Sequence, residues 1–81
     1  MFYVYIIKSR IKNYNYIGST EDLKRRFTEH NNGKTKSIKH LIPFDLIYYE
    51  AYLTKELARK REISLKKNSS QKEELFSRIN N

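Results

Sequence analysis

The sequence predicts a small domain of the α/β class, of α+β type, with its elements in the order ββαβαα. Three observations carry that reading. Three runs rich in aromatic and β-branched residues show strand-like alternation, and three stretches show helical spacing with capping residues ahead of them. The third is length: 81 residues predict one domain, which buries roughly 60–65% of its unfolded surface on folding. An apolar fraction of 38% is low, but seven Tyr and four Phe offset it, since each buried aromatic removes about 150–250 Å² from water.

Phe2 to Lys8 sets Phe2, Val4 and Ile6 on one face and Tyr3, Tyr5 and Ile7 on the other, so this strand is expected to be covered on both sides. The polar stretch Ser9 to Asn13 is short enough for Tyr14 to Gly18 to pair back as the second arm of a hairpin. Gly18 answers to a close backbone approach, an unusual dihedral or a plain turn. Ser19 and Asp22 have capping-box spacing, Glu21 and Asp22 suit the positive end of a helix, and Leu23 and Phe27 form its buried pair. Asn31, Asn32 and Gly33 end that helix.

Lys34 to His40 lacks apolar periodicity and reads as an exposed basic loop, closed by Pro43. A third strand follows from Phe44 to Tyr52, with Leu46, Tyr48, Glu50 and Tyr52 alternating against Ile47, Tyr49 and Ala51. Thr54 is placed to cap a helix whose Leu57, Ala58, Arg61 and Leu65 fall within about 100° of arc, with Glu62 at the border of that stripe. Ser70 and Glu73 repeat the capping-box spacing, and Leu75, Phe76 and Ile79 give the last helix a docking face.

Lys and Arg outnumber Asp and Glu by 17 to 9, for a net charge of +8. That excess favours a polyanionic partner, nucleic acid or an anionic membrane surface. With no Cys, disulfides and thiol-based metal or redox chemistry are excluded, and a cytoplasmic setting is expected. The apolar run Phe2 to Ile7 is too short for a signal-peptide core or a membrane span, so no membrane association is expected. A glycine-rich phosphate loop, an HExxH pattern and a Ser-His-Asp arrangement are all missing.

Arg26 and His30 stand one turn apart, beside the Leu23 and Phe27 face. A guanidinium there suits charge on a scissile phosphate, and an imidazole can orient a nucleophile or pass a proton; the plainer reading is a solvated face ending in a histidine. Glu62 could hold a hard divalent cation such as Mg²⁺, which needs only one or two carboxylates beside phosphate oxygens and water; the plainer reading pairs it with Lys66 or Arg59. Tyr3, Tyr5, Tyr14 and Tyr16 crowd the hairpin, where a phenol can act as base or donor, or simply pack. Lys24, Arg25, Lys34, Lys36, Lys39, His40, Arg61 and Lys66 are the candidates for phosphate contacts, or else a solvated basic surface.

Four blocks, YVY at Tyr3, YIG at Tyr16, DLKRRFTEHN at Asp22 and ELARKREISLKK at Glu56, together resemble the GIY-YIG nuclease superfamily. The likeness is greatest to its small stand-alone bacterial branch, the UPF0213-like single-domain proteins, and it covers nearly the whole chain. It implies a three-stranded antiparallel sheet flanked by helices. It also implies an endonuclease that cleaves DNA phosphodiesters with Mg²⁺ or Mn²⁺, as family members do in intron homing, restriction, recombination and repair. By resemblance Tyr5, Tyr16, Arg26, His30 and Glu62 are the catalytic positions, with Glu62 the metal ligand, Tyr5 or Tyr16 activating a water and Arg26 stabilising charge on the phosphate. Gly18 would turn the chain tightly into the helix that presents Arg26 and His30.

Two positions depart from the family pattern. Tyr3-Val4-Tyr5 stands where Gly-Ile-Tyr is usual, and the late asparagine has no clear counterpart, Asn68 following Glu62 by only six residues. Larger relatives attach separate DNA-recognition domains to this module. The resemblance therefore implies weakly selective or structure-selective cleavage, of branched or single-stranded DNA, or a protein partner that supplies specificity. The alternative is a non-catalytic nucleic-acid-binding module with the same fold.

Overall fold

β1 (Phe2–Ser9) is the central strand of a three-stranded antiparallel sheet, with β2 (Asn15–Thr20) on one side and β3 (Phe44–Tyr52) on the other. The structure, a computed structural model, describes residues 1–79. Three helices complete the expected ββαβαα order: α1 (Leu23–Asn31), α2 (Lys55–Lys67) and α3 (Ser69–Ile79), with a short 3₁₀ turn at Lys39–Leu41.

Val4, Tyr5, Ile6 and Ile7 are all buried, so β1 is covered on both faces as its composition requires. Val4 and Ile6 pack with Ile17, Ala58, Leu65 and Leu75 beneath α2 and α3. Tyr5 and Ile7 pack with Ile38, Leu41 and Phe44 on the α1 side. Each fully buried Val, Leu, Ile or Phe contributes about 1.5–3 kcal/mol, so these two clusters hold the helices to the sheet far more strongly than helix propensity does.

Thr54 caps α2 as expected, its hydroxyl accepting from the Leu57 amide at 3.2 Å. Asn32 and Gly33 end α1, Gly33 taking the left-handed conformation at φ +78°. Several local expectations are overturned. α1 is capped by Asp22, whose Oδ1 accepts from the Arg25 amide at 3.0 Å, because Ser19 is still inside β2, paired with Val4. α3 is capped by Asn68 through the Gln71 amide at 3.1 Å, not by Ser70. Leu57 is exposed, and the packed face of α2 is narrower than the stripe suggested. In β3 the pairing skips Ile47: Ile6 faces Tyr48 while Ile7 faces Leu46. This bulge moves Leu46 to the α1 face and leaves Ile47 with Tyr48 and Tyr52 on the α2 face. The basic loop is exposed at its cations, yet Ile38 and Leu41 dive into the core and pin it.

Candidate active site

The hairpin register puts Tyr5 opposite Gly18 and Ile7 opposite Tyr16, so both phenols rise from the sheet face that α1 covers. His30, in the last turn of α1, is fully buried there. Its Nε2 lies 2.7 Å from Tyr5 Oη and its Nδ1 3.0 Å from Thr35 Oγ1. The Tyr16 ring packs 5.0 Å from the imidazole and 6.4 Å from the Tyr5 ring, centroid to centroid. Arg26, one turn before His30, is half-buried; its Nη1 donates to Glu29 Oε1 at 3.2 Å, using one of its five donors.

Burial, and then the nearby Arg26 charge, push His30 down to about 4. The ring is therefore neutral at pH 7, with one N–H and one lone pair, so one flanking hydroxyl donates to it and the other accepts. Burial and the neighbouring Tyr16 push Tyr5 up to about 12 against the pull of Arg26. Burial thus holds the phenol's proton on and keeps a proton off the imidazole, so transfer from Tyr5 to His30 runs uphill. Of the two roles the sequence allows, His30 is suited to orienting its neighbours and poorly suited to taking up a proton.

Gly18 lies within β2, not at a turn. A Cβ there would stand 2.5 Å from Tyr5 Oη and 2.7 Å from Tyr5 Cζ, so the glycine is needed for close approach, letting the Tyr5 ring cross over β2. The next residue, Ser19, points to the opposite face, where its Oγ donates to Glu62 Oε1 at 2.6 Å. The other Glu62 oxygen accepts from Lys66 Nζ at 2.8 Å, and that ammonium also sits 5.9 Å from the Tyr16 ring centroid. Two half-sites, one from each face of the sheet, thus meet across the edge strand β2: Tyr5, Tyr16, Arg26 and His30 on one side, Glu62 on the other.

Burial tends to raise the Glu62 pKa, but hydrogen bonds from Lys66 and Ser19 and the charges of Lys66 and Arg59 outweigh it and hold the carboxylate below its usual range. Among the described residues no group of three His, Cys, Asp or Glu side chains gathers to hold a metal. The donor set fits a hard cation that keeps most of its waters, since Mg²⁺ accepts a single carboxylate in that setting. Lys66 shows that Glu62 Oε2 is open to a cation.

The remaining basic candidates are spread out. Lys24, Arg25 and Lys34 line a depression on the outer side of α1 that also contains Asp22 and Glu29, and Lys36, Lys39 and His40 are exposed beyond it. Arg61 turns inward to Glu50, with Nε–Oε1 2.9 Å and Nη2–Oε2 3.0 Å. Ser19 and Thr35, which bond the candidates Glu62 and His30, were not among the residues the sequence singled out for the site. Ser19 carried a signal that pointed to a cap instead, and Thr35 carried none.

The GIY-YIG catalytic domain family matches residues 1–75 of this chain. A UPF0213 protein of Streptococcus pneumoniae serotype 4 is 42% identical over 77 residues, covering 93% of this chain and 77% of the relative. A UPF0213 protein of Streptococcus pyogenes serotype M5 is 36% identical over 74 residues, covering 90% and 79%. No solved structure matches.

Proposed function

This chain belongs to the GIY-YIG catalytic domain family, and from that premise we propose that it is a DNA endonuclease, hydrolysing phosphodiester bonds with Mg²⁺ or Mn²⁺. The observation that carries the reading is the meeting of Glu62 with Tyr5, Tyr16, Arg26 and His30 across β2. Glu62, kept ionised and aimed by Ser19, is the residue that holds the cation. When bound, that cation supplies charge neutralisation at the phosphate oxygens. Arg26 donates to the non-bridging oxygens as charge builds there.

Exposure separates the two phenols. Tyr5 is 1% exposed and engaged with His30, whereas Tyr16 is only half-buried and borders Lys66. Tyr16 is assigned to orient the attacking water through its hydroxyl, the water's proton passing to solvent and the leaving oxygen taking one from solvent, and Tyr5 with His30 and Thr35 to hold Tyr16 and Arg26 in place. Water attacks phosphorus in line, the leaving oxygen departs opposite, and no covalent intermediate forms. Lys24, Arg25, Lys34, Lys36, Lys39 and His40 add long-range attraction for DNA. Branched or single-stranded DNA, as met in repair and recombination, is the proposed substrate class, with a protein partner the other source of specificity.

The test is cleavage of labelled linear, nicked, branched and single-stranded DNA with Mg²⁺, Mn²⁺ or EDTA. Glu62→Ala and Arg26→Ala are each expected to lower the single-turnover rate by about 10²–10³-fold while DNA affinity persists. In the same assay Tyr16→Phe should lose more rate than Tyr5→Phe, and equal mild losses would remove the tyrosine assignment. Salt-sensitive binding with no metal-dependent cutting would instead favour the non-catalytic module, in which Lys66 stays on Glu62.

A further inference from the structure

Helix geometry sets a row along one side of α2: Lys55, Arg59, Glu62 and Lys66 recur at spacings of four, three and four residues, and so share one stripe. That row lies against the edge strand β2, whose outer backbone groups have no neighbouring strand among the described residues. Near the end of β2, Ser19, Thr20, Lys55 and Arg59 line a depression of about 280 Å³, with Glu21 the one acid among its lining residues. Near its start, Tyr14, Asn15, Tyr16, Lys66 and Lys72 line a second of about 280 Å³, with no acid among its lining residues. Each has room for a phosphate with its waters. Glu62 lies between the two, bonded to Ser19 on one side and Lys66 on the other. Asn15 Oδ1, of a residue lining the second depression, is buried with no partner among the described residues, so the walls leave one acceptor unsatisfied.

We propose that this groove is the track of the cleaved DNA strand. Lys55 and Arg59 grip backbone phosphates on one side of the phosphate that passes Glu62, and Lys66 and Lys72 grip those on the other. The identity of the central phosphate rests on the nuclease reading above; the track itself rests on the groove. The lengths agree. Five strand steps from Asn15 to Thr20 span about 17 Å, eleven helical steps from Lys55 to Lys66 about 16 Å, and a DNA backbone followed along its own path, with phosphates about 6–7 Å apart, presents about three phosphates over that distance. The depression outside α1 is a poorer track, because Asp22 and Glu29 lie among its cations.

The test is equilibrium DNA binding by fluorescence anisotropy across a salt series, in EDTA so that cleavage does not intervene. For the exposed triple variant Lys55→Gln, Arg59→Gln, Lys72→Gln, the slope of log affinity against log salt should fall by about two to three. For Lys24→Gln, Arg25→Gln, Lys34→Gln it should fall by less than about one. The reverse ranking overturns the track and moves the strand to α1. Neutral methylphosphonate substitutions should interfere at about three consecutive phosphates of one strand, and interference scattered over both strands also overturns it. Cleavage is scored separately: cutting with an unchanged slope in the first variant sinks the track alone, while a lowered slope without any cutting by the parent protein supports the track and sinks the nuclease reading.

Discussion

Two clusters in this small protein are built from the same parts, a glutamate, an arginine and tyrosines, and they end in different conditions. On the α2 face of β3, Glu50 accepts from Tyr48 Oη and Tyr52 Oη at 2.5 Å each and from Arg61 Nε and Nη2 at 2.9 and 3.0 Å. A carboxylate offers about four acceptor sites, so Glu50 is saturated. Glu62 accepts from Ser19 and Lys66, and one of those partners is a long, half-exposed side chain. Perturbed acidity does not distinguish the clusters, since burial, as the largest cause in each, pushes both Tyr5 and Tyr52 up to about 12. Satisfaction does: the Glu50 network has every acceptor filled, whereas Glu62 keeps spare acceptor capacity beside a groove.

Removing the central acid of each cluster gives the largest contrast. Glu50→Ala strands the Arg61 guanidinium and two phenols between β3 and α2, and is expected to cost about 3 kcal/mol of stability with cleavage by the folded protein retained. Glu62→Ala is expected to cost less than about 1 kcal/mol, since Lys66 returns to solvent, while cleavage is lost. Urea unfolding alongside single-turnover assays checks both. A folded, stable but inactive Glu50→Ala protein would break the distinction.

Acid should separate the clusters next. His30 binds a proton at about 4 in the fold against an ordinary 6.5, so between those values the unfolded chain holds more protons and stability falls as pH drops. The full loss is about 3 kcal/mol. The Glu50 carboxyl is pulled below its ordinary 4.5: burial opposes this, but hydrogen bonds from Arg61, Tyr48 and Tyr52 prevail. Its contribution is therefore present above 4.5 and lost only below it. His30→Gln should flatten the stability profile from pH 6.5 to 4.5 and leave the steeper fall beneath; an unchanged slope would mean that His30 is not buried neutral.

Gly18→Ala should cost about 2 kcal/mol by overpacking, because the new methyl meets Tyr5 Oη, which His30 and the core hold in place. Cleavage should fall with it, and a tolerated alanine would show that the Tyr5 ring does not need to cross β2. This residue also marks how far the sequence was legible. The element order and the double burial of β1 followed from composition, and the Thr54 cap from local spacing, because each is decided within a few residues. Ser19 was read as a cap, and Gly18 was left between a close approach, an unusual dihedral and a turn, for the same local reason: their roles are fixed by Tyr5 across the hairpin and by Glu62, 43 residues away. The Ile47 bulge and the Thr35 bond to His30 likewise exist only once distant segments meet. The five site positions were named through resemblance; their division between the two faces of the sheet came only with the fold.

The smallest effect comes from matched removal of single hydroxyls. Tyr52→Phe deletes one of four donors to Glu50, and the other three still compensate the charge, so about 1 kcal/mol of stability is expected to go, with no change in the cleavage rate. Tyr16→Phe deletes a hydroxyl from a half-buried ring that packs on His30, and is expected to leave stability within about 0.5 kcal/mol of the parent while the single-turnover rate falls. Thermal unfolding and cleavage measured on both proteins bring the comparison down to two oxygen atoms. If the two variants trade places, the saturated cluster is the working one.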